Sequence, residues 1–164
     1  MVSIRHAKIG DEECLAYIQT ESWKDAFRDI VPAELLSECT KIERANGMYK
    51  KLLRESKGNG YILELDGKPY CIAWWDASGE KDMPDVAELR CIHSLKENRR
   101  KGYGGMILEQ VMYDAKSVGY SKMMLWVFEN NVRAISFYKA HGFTATGKKQ
   151  PAFGAIEEMY IREL

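Results

Sequence analysis

The stretch Arg99-Arg100-Lys101-Gly102-Tyr103-Gly104-Gly105 sets three cations and three glycines immediately ahead of an apolar helical repeat. Residues without a Cβ let a ligand lie against the backbone, and a helix starting there aims unpaired N–H groups and a positive dipole end at it. An arginine fork matches phosphate oxygens, so the stretch reads as a cradle for a phosphate-bearing ligand. It is neither of the two common nucleotide loops. A P-loop needs G-x-x-x-x-G-K-[ST], which the chain lacks. A dinucleotide fingerprint needs a third glycine where Ile107 stands, and an acidic residue about twenty positions on, where Met123 and Met124 lie in an apolar run.

Other chemistry is limited by composition. Cys14, Cys39, Cys71 and Cys91 contain no C-x-x-C pair, and His6 and His141 have no metal-like partners, so free thiols in a reducing compartment are expected, and no metal. Lys plus Arg and Asp plus Glu both number 24, which gives no broad basic field for nucleic acid or an anionic membrane. No apolar run approaches the ~18 residues of a membrane span and no signal peptide precedes Ser3, so a soluble cytoplasmic protein is expected.

The elements that must position the cradle lie on either side of it. Val2 to Lys8 predicts an edge strand ended by Gly10-Asp11, and Leu15, Ile18, Ser22, Trp23, Ala26 and Phe27 share one face of a helix reaching about Arg28. Pro32 opens a second helical piece, and Ile42 to Leu53 carries a third. Tyr61 to Leu65, the turn Asp66-Gly67, and Tyr70 to Trp75 read as a hairpin. Val86 to His93 is then a strand running into the cradle, followed by a helix carrying Ile107, Leu108, Val111, Met112 and Ala115 and closed by Gly119. Met123 to Val127 predicts a buried strand. Asn130 or Asn131 can cap a helix from Val132 to His141, Phe143 to Thr146 begins a strand, Lys148-Lys149 reads as a solvated loop, and about Ile156 to Glu163 forms the last strand. This order predicts one α+β domain, residues 1–164, of the three-layer α/β type with a mixed sheet. An apolar fraction of 46% is enough for a core without disulfides or metal.

Two blocks together carry a resemblance. Arg99-x-x-Gly102-x-Gly104 is followed, after a helix and a strand, by Asn131-x-x-Ala134-x-x-Phe137-Tyr138-x-x-x-Gly142-Phe143. This resembles the GNAT superfamily of acyl-CoA-dependent N-acetyltransferases, with its [QR]-x-x-G-x-[GA] motif and its N-x-x-A-x-x-x-Y-x-x-x-G-F block. Ser22-Trp23, Ile30-Val31-Pro32 and Glu158-Met159-Tyr160 look similar too, so the likeness spans nearly the whole chain. Ser94 and Lys96 depart from the valine and proline common there, at positions where backbone rather than side-chain contacts are expected.

The resemblance implies a mixed sheet with helices on both faces and splayed central strands, and acetyl-CoA as co-substrate. Amides from Arg99 or Arg100 through Lys101, Gly102, Tyr103, Gly104 and Gly105 would hold its pyrophosphate. Backbone groups of Ile92 and Ser94 would pair with the pantetheine arm like an added strand, and Asn131 would bond its amides or the cysteamine region. The acceptor would be a primary amine of a small molecule or peptide; a homodimer through an edge strand is an analogy only. A non-catalytic acyl-CoA-binding or sensor module is the alternative.

Acyl transfer to an amine needs a neutral nucleophile and a protonated leaving thiol. Deprotonating a lysine-like amine of pKa about 10.4 at pH 7 costs roughly 4.6 kcal/mol, so a base or a desolvating pocket must help. Glu88 is the best-placed carboxylate, acting directly or through water, with an ion pair to Arg90 as the competing role. Tyr138 would sit near the cofactor sulfur. Proton transfer from tyrosine to thiolate is uphill by roughly 2 kcal/mol, so hydrogen bonding to the developing charge is a sufficient role. Strand alternation puts His93 on the face opposite Glu88, and Trp23 and Phe27 are the aromatics expected to line the acceptor pocket.

Overall fold

The computed structural model describes residues 1–164, the side chain of Asn98 excepted. Its elements are β1 (Val2–His6), α1 (Glu12–Ala26), α2 (Ala33–Cys39), α3 (Ile42–Arg54), β2 (Asn59–Leu65), β3 (Lys68–Ala77), β4 (Val86–Ser94), α4 (Tyr103–Ser117), β5 (Lys122–Phe128), α5 (Val132–Ala140), β6 (Thr144–Ala152) and β7 (Ala155–Glu163). The strands form one sheet in the order β1-β2-β3-β4-β5-β7-β6. Only β4 and β5 run parallel, joined by the right length of crossover in α4. Among the described residues no helix is long and apolar enough to cross a membrane.

Local chemistry explains most boundaries. Asp66 and Gly67 both take positive φ, 51° and 78°, which a two-residue hairpin turn with matching twist requires. Gly102 opens α4 at φ 83°, and Ile107, Leu108, Val111 and Ala115 form its buried stripe. α1 and α3 cover one face of the sheet over Ile62, Ile72 and Trp74. α4 and α5 cover the other over Tyr61, Leu63, Ala73, Trp75, Leu89 and Leu125. The three-layer α+β expectation therefore holds.

Two departures matter. β6 runs to Ala152, so Lys148 and Lys149 lie in an edge strand, not a loop. Lys149 pairs with Glu129 at 3.0 Å and Lys148 with Glu80. The strand is exposed for most of its length, so it carries no apolar alternation from which it could have been read.

The second departure is a bulge in β4. Trp74 pairs with Cys91 and Trp75 with Leu89, leaving Arg90 without a counterpart on β3. One extra residue reverses the alternation beyond it. Glu88, Cys91 and His93 consequently share the face covered by α1, while Leu89 and Ile92 share the α4 face. The expectation that His93 lies opposite Glu88 is thereby corrected.

Gly60 on β2 shows how tightly the α1 face is filled. A Cβ there would lie 2.3 Å from the Trp74 ring, itself packed on Tyr49 with centroids 5.6 Å apart. Gly60→Ala is expected to cost about 2 to 3 kcal/mol, read as a lowered urea midpoint with an unchanged m-value.

Candidate active site

The site begins where the sheet opens. β4 and β5 pair from Val86↔Lys122 to Leu89↔Leu125 and no further, although β4 continues to Ser94 and β5 to Phe128. Beyond Leu89, β4 has no partner on its β5 side, and a cleft of about 1590 Å³ passes through the gap between the two faces of the sheet. Ile92, Ser94, Arg99, Arg100, Gly102, Tyr103, Gly104, Gly105, Asn131 and Tyr138 all border it, as do Glu88, Trp23 and Phe27. Lys101 does not; its exposed side chain stays outside the lining.

The cradle is a helix N-terminus reached through a sharp turn. Arg100 and Gly102 adopt φ of 61° and 83°, and Met106 is the first residue of α4 whose N–H finds a backbone acceptor, Gly102 O at 3.1 Å. Among the described residues the amides from Arg100 to Gly105 have no acceptor, which leaves them for a ligand. Arg99 differs from the rest, since its N–H donates to Lys96 O and its guanidinium is held by Asp25 of α1. Lys96 reaches the same carboxylate at 3.4 Å. The Arg99 bond, ahead of Lys96, holds the Asp25 carboxyl below its usual range. Arg99 therefore ties the loop to α1 through a carboxylate that it shares with Lys96 and Arg28.

The glycines at 104 and 105 also face α5. A Cβ on Gly104 would meet the Phe137 ring at an ordinary contact distance of 3.4 Å, whereas one on Gly105 would lie 3.0 Å from His141 Nε2, so Gly105 is the one that lets the end of α5 close on α4. Arg133 was missed by sequence reasoning. It borders the cleft, largely exposed, and the partial desolvation of its guanidinium, then the Arg99 and Arg100 charges, push its pKa below the ordinary value. With Arg100 it adds cationic charge beside the cradle. Its signal lay in the spacing: Asn131 caps α5 by accepting from Ala134 N–H at 3.2 Å, which puts Arg133 in the helix's first turn. That cap occupies the Asn131 side-chain oxygen and leaves its NH2 group to donate.

Tyr138 is packed edge-on to Phe137 and Phe143 on the α4 side. Burial, and secondarily Cys91 and Cys71, raise its pKa above the usual phenol value, so it stays a proton donor. Among the described residues its hydroxyl has no hydrogen-bond partner, although it borders the cleft. Cys91 borders the cleft as well. Burial pushes its thiol up to about 12, which leaves it protonated and a poor nucleophile.

Across the gap, on the α1 side, Glu88 is buried, with Arg90 Nη1 at 3.1 Å from one oxygen and Gly79 N–H donating to the other at 3.1 Å. The ion pair with Arg90 foreseen for it is formed. Trp23 Nε1–H donates to His93 Nε2 at 3.3 Å, so the neutral ring carries its proton on Nδ1 and its basic nitrogen is taken. Glu157 on β7 was also missed. It borders the cleft, half-buried, and accepts from the Gln150 amide at 2.6 Å. Among the described residues no group of three or more His, Cys, Asp or Glu is gathered as for a metal.

A parallel pair that parts over a glycine-opened helix N-terminus, with Asn131 and Tyr138 on the next helix, is the splayed arrangement that the sequence resemblance implied. The sequence pattern of the acetyltransferase (GNAT) family matches residues 18–143, and the chain belongs to that family. A Bacillus subtilis relative named uncharacterized N-acetyltransferase YuaI is 28% identical over 141 residues, covering 86% of this chain and 79% of its own. The PaiA N-acetyltransferase of Thermoplasma acidophilum, solved in complex with coenzyme A, superposes with a TM-score of 0.83 at 20% identity, covering 100% and 99% of the two chains. The ribosomal-protein-alanine N-acetyltransferase of Brucella melitensis gives 0.77 at 18% identity over 99% of each. At these identities the two solved structures share the fold.

Burial, and then the nearby Arg99 charge, lower the His93 pKa to about 4. The unfolded chain binds this proton near pH 6.5 and the folded chain only near 4, so the stability is fully present above pH 6.5 and lost as pH falls. By pH 4.5, His93→Gln should lack about 2 to 3 kcal/mol of the acid destabilisation seen in the wild type, measured by urea unfolding from pH 7 down.

Proposed function

We propose that this chain transfers an acetyl group from acetyl-CoA to a primary amine of a small molecule or peptide by direct attack within a ternary complex. The observation that carries this is the parting of β4 and β5 beyond Leu89. It joins a cationic cradle of free amides on one face of the sheet to an aromatic and carboxylate-lined compartment on the other.

The amides of Arg100 to Gly105 would hold the pyrophosphate, with the guanidinium groups of Arg100 and Arg133 adding charge. The open edge of β4 at Ile92 and Ser94 suits an extended amide-bearing arm, which Asn131 NH2 can also meet. Tyr138 would donate its hydroxyl hydrogen bond to the sulfur as the C–S bond breaks. A protonated Cys91 speaks against an acyl-enzyme. Glu88, held at both oxygens, fixes the bulged Arg90 and the loop at Gly79, and so positions the strand edge. Four unbridged cysteines fit a reducing compartment such as the cytoplasm.

Thiol release over a panel of amines, with products identified by mass spectrometry, tests this; tight acetyl-CoA binding without turnover on any amine would instead mark a binding module. Tyr138→Phe should lower kcat by about 10- to 100-fold at unchanged KM for acetyl-CoA, and the wild type should show no alkaline limb from Tyr138 below about pH 10. Gly104→Glu crowds Phe137 and brings a negative charge to the cradle, so the KM for acetyl-CoA should rise by about tenfold or more.

A further inference from the structure

The acidic side chains that border the cleft are not equivalent. Glu80 is ion-paired with Lys148 and Glu88 with Arg90. Asp76 accepts from its neighbour Ala77 N–H at 2.8 Å, and Glu109 is an exposed residue of α4, on the cradle side of the sheet. Glu157 and Asp76 are both half-buried on the α1 face with only neutral partners, and of the two Glu157, which accepts from Gln150, stands in register with Phe128. Among the described residues no ion pair engages it.

Register fixes where it points. Glu157 stands directly across from Phe128 of β5 and Gln150 of β6, on the face it shares with Met159, Met124 and Trp126. That is the face of Glu88, on the α1 side of the gap. Beside it runs a wall of edge-to-face rings: Trp23 and Phe27 with centroids 5.0 Å apart, Trp23 and Phe153 5.2 Å, and Phe27 and Phe128 5.0 Å. Val31 and Leu36 back that wall. One uncompensated carboxylate against uncharged aromatic surface matches one ammonium on an apolar body. A polyamine bound along this wall would lay its second cation against uncharged rings. An amino acid would bring its own carboxylate next to the Glu157 carboxylate that holds its ammonium, a like-charge contact.

We propose that Glu157 binds the acceptor's ammonium and takes its proton, and that Trp23, Phe27, Phe128 and Phe153 hold an uncharged apolar body, so that the acceptor is a monocationic primary amine of the arylalkyl class. This rests on the acetyltransferase function proposed above. Burial raises the Glu157 carboxyl above its ordinary value; the Gln150 bond opposes this and the Glu88 charge adds to it. A more basic carboxylate suits proton acceptance. The step balances. The ammonium gives one proton to Glu157, and its freed lone pair attacks the thioester carbonyl carbon. The C–N bond forms as the C–S bond breaks, the second nitrogen proton passes to the leaving thiolate, and Glu157 returns its proton to solvent.

The test compares 2-phenylethylamine, spermidine and phenylalanine as acceptors for the wild type, Glu157→Gln and Glu157→Asp, with calorimetric binding of 2-phenylethylamine and of coenzyme A alongside. The wild type should favour 2-phenylethylamine by about tenfold or more in kcat/KM, and Glu157→Gln should lower that value by about 100-fold. The same variant should bind 2-phenylethylamine more weakly and coenzyme A as the wild type does, and Glu157→Asp should fall between. Acetylation of 2-phenylethylamine by Glu157→Gln within about threefold of wild type, or a preference for spermidine or phenylalanine, overturns the inference while leaving the transferase standing. Failure of the wild type to acetylate any amine overturns the transferase function and this inference with it.

Discussion

The site depends on a hydrogen-bonded ladder that stops. β4 and β5 share four register pairs and then part, so the backbone of β4 beyond Leu89 faces a space instead of a strand. Unpaired backbone groups inside a sheet are costly unless something meets them, and here the gap is wide enough for a ligand to do so. The bulge at Arg90 belongs to the same departure from regular pleating. It bends β4 as the pairing ends and turns Cys91 and His93 toward α1 while keeping Leu89 and Ile92 on the α4 core.

That single opening divides the chemistry between two faces. On the α4 side lie free helix-terminal amides, the Arg100 and Arg133 cations and the Tyr138 hydroxyl, a set suited to phosphate and to a leaving thiolate. On the α1 side lie aromatic rings and carboxylates, a set suited to an amine. Residues that look reactive in isolation are engaged by partners or by the core: Arg99 by Asp25, Glu88 by Arg90 and Gly79, His93 by Trp23, and Cys91 by burial. What remains unanswered is a short set, Tyr138 and Glu157 among it. Partner bookkeeping of this kind separates groups that hold the scaffold from groups left to meet a substrate.

Much of this was legible in the chain. The Asp66-Gly67 hairpin, the apolar stripe of α4, the Asn131 cap and the order of elements follow from local rules, because turn dihedrals, capping and helical periodicity act over a few residues. The cradle followed from glycines and cations ahead of a helix, and the spacing of Asn131, Ala134, Tyr138 and Gly142 narrowed its ligand class. β6 was truncated in the sequence reading because a strand exposed at a sheet edge leaves no apolar pattern.

The sequence by itself determined which residue types stand at the helix N-terminus and which side chains are available for acyl transfer, since those are properties of composition and spacing. Only the tertiary structure decided which of them are free. The Arg90 bulge reversed the faces of β4, a change of one residue that no alternation pattern can register. Asp25 is 74 residues from Arg99 and holds its guanidinium, and Glu157 enters the site from β7, two strands away from β4 in the sheet order. Charge compensation and burial are set by neighbours distant in the chain, and those neighbours exist only once it has folded.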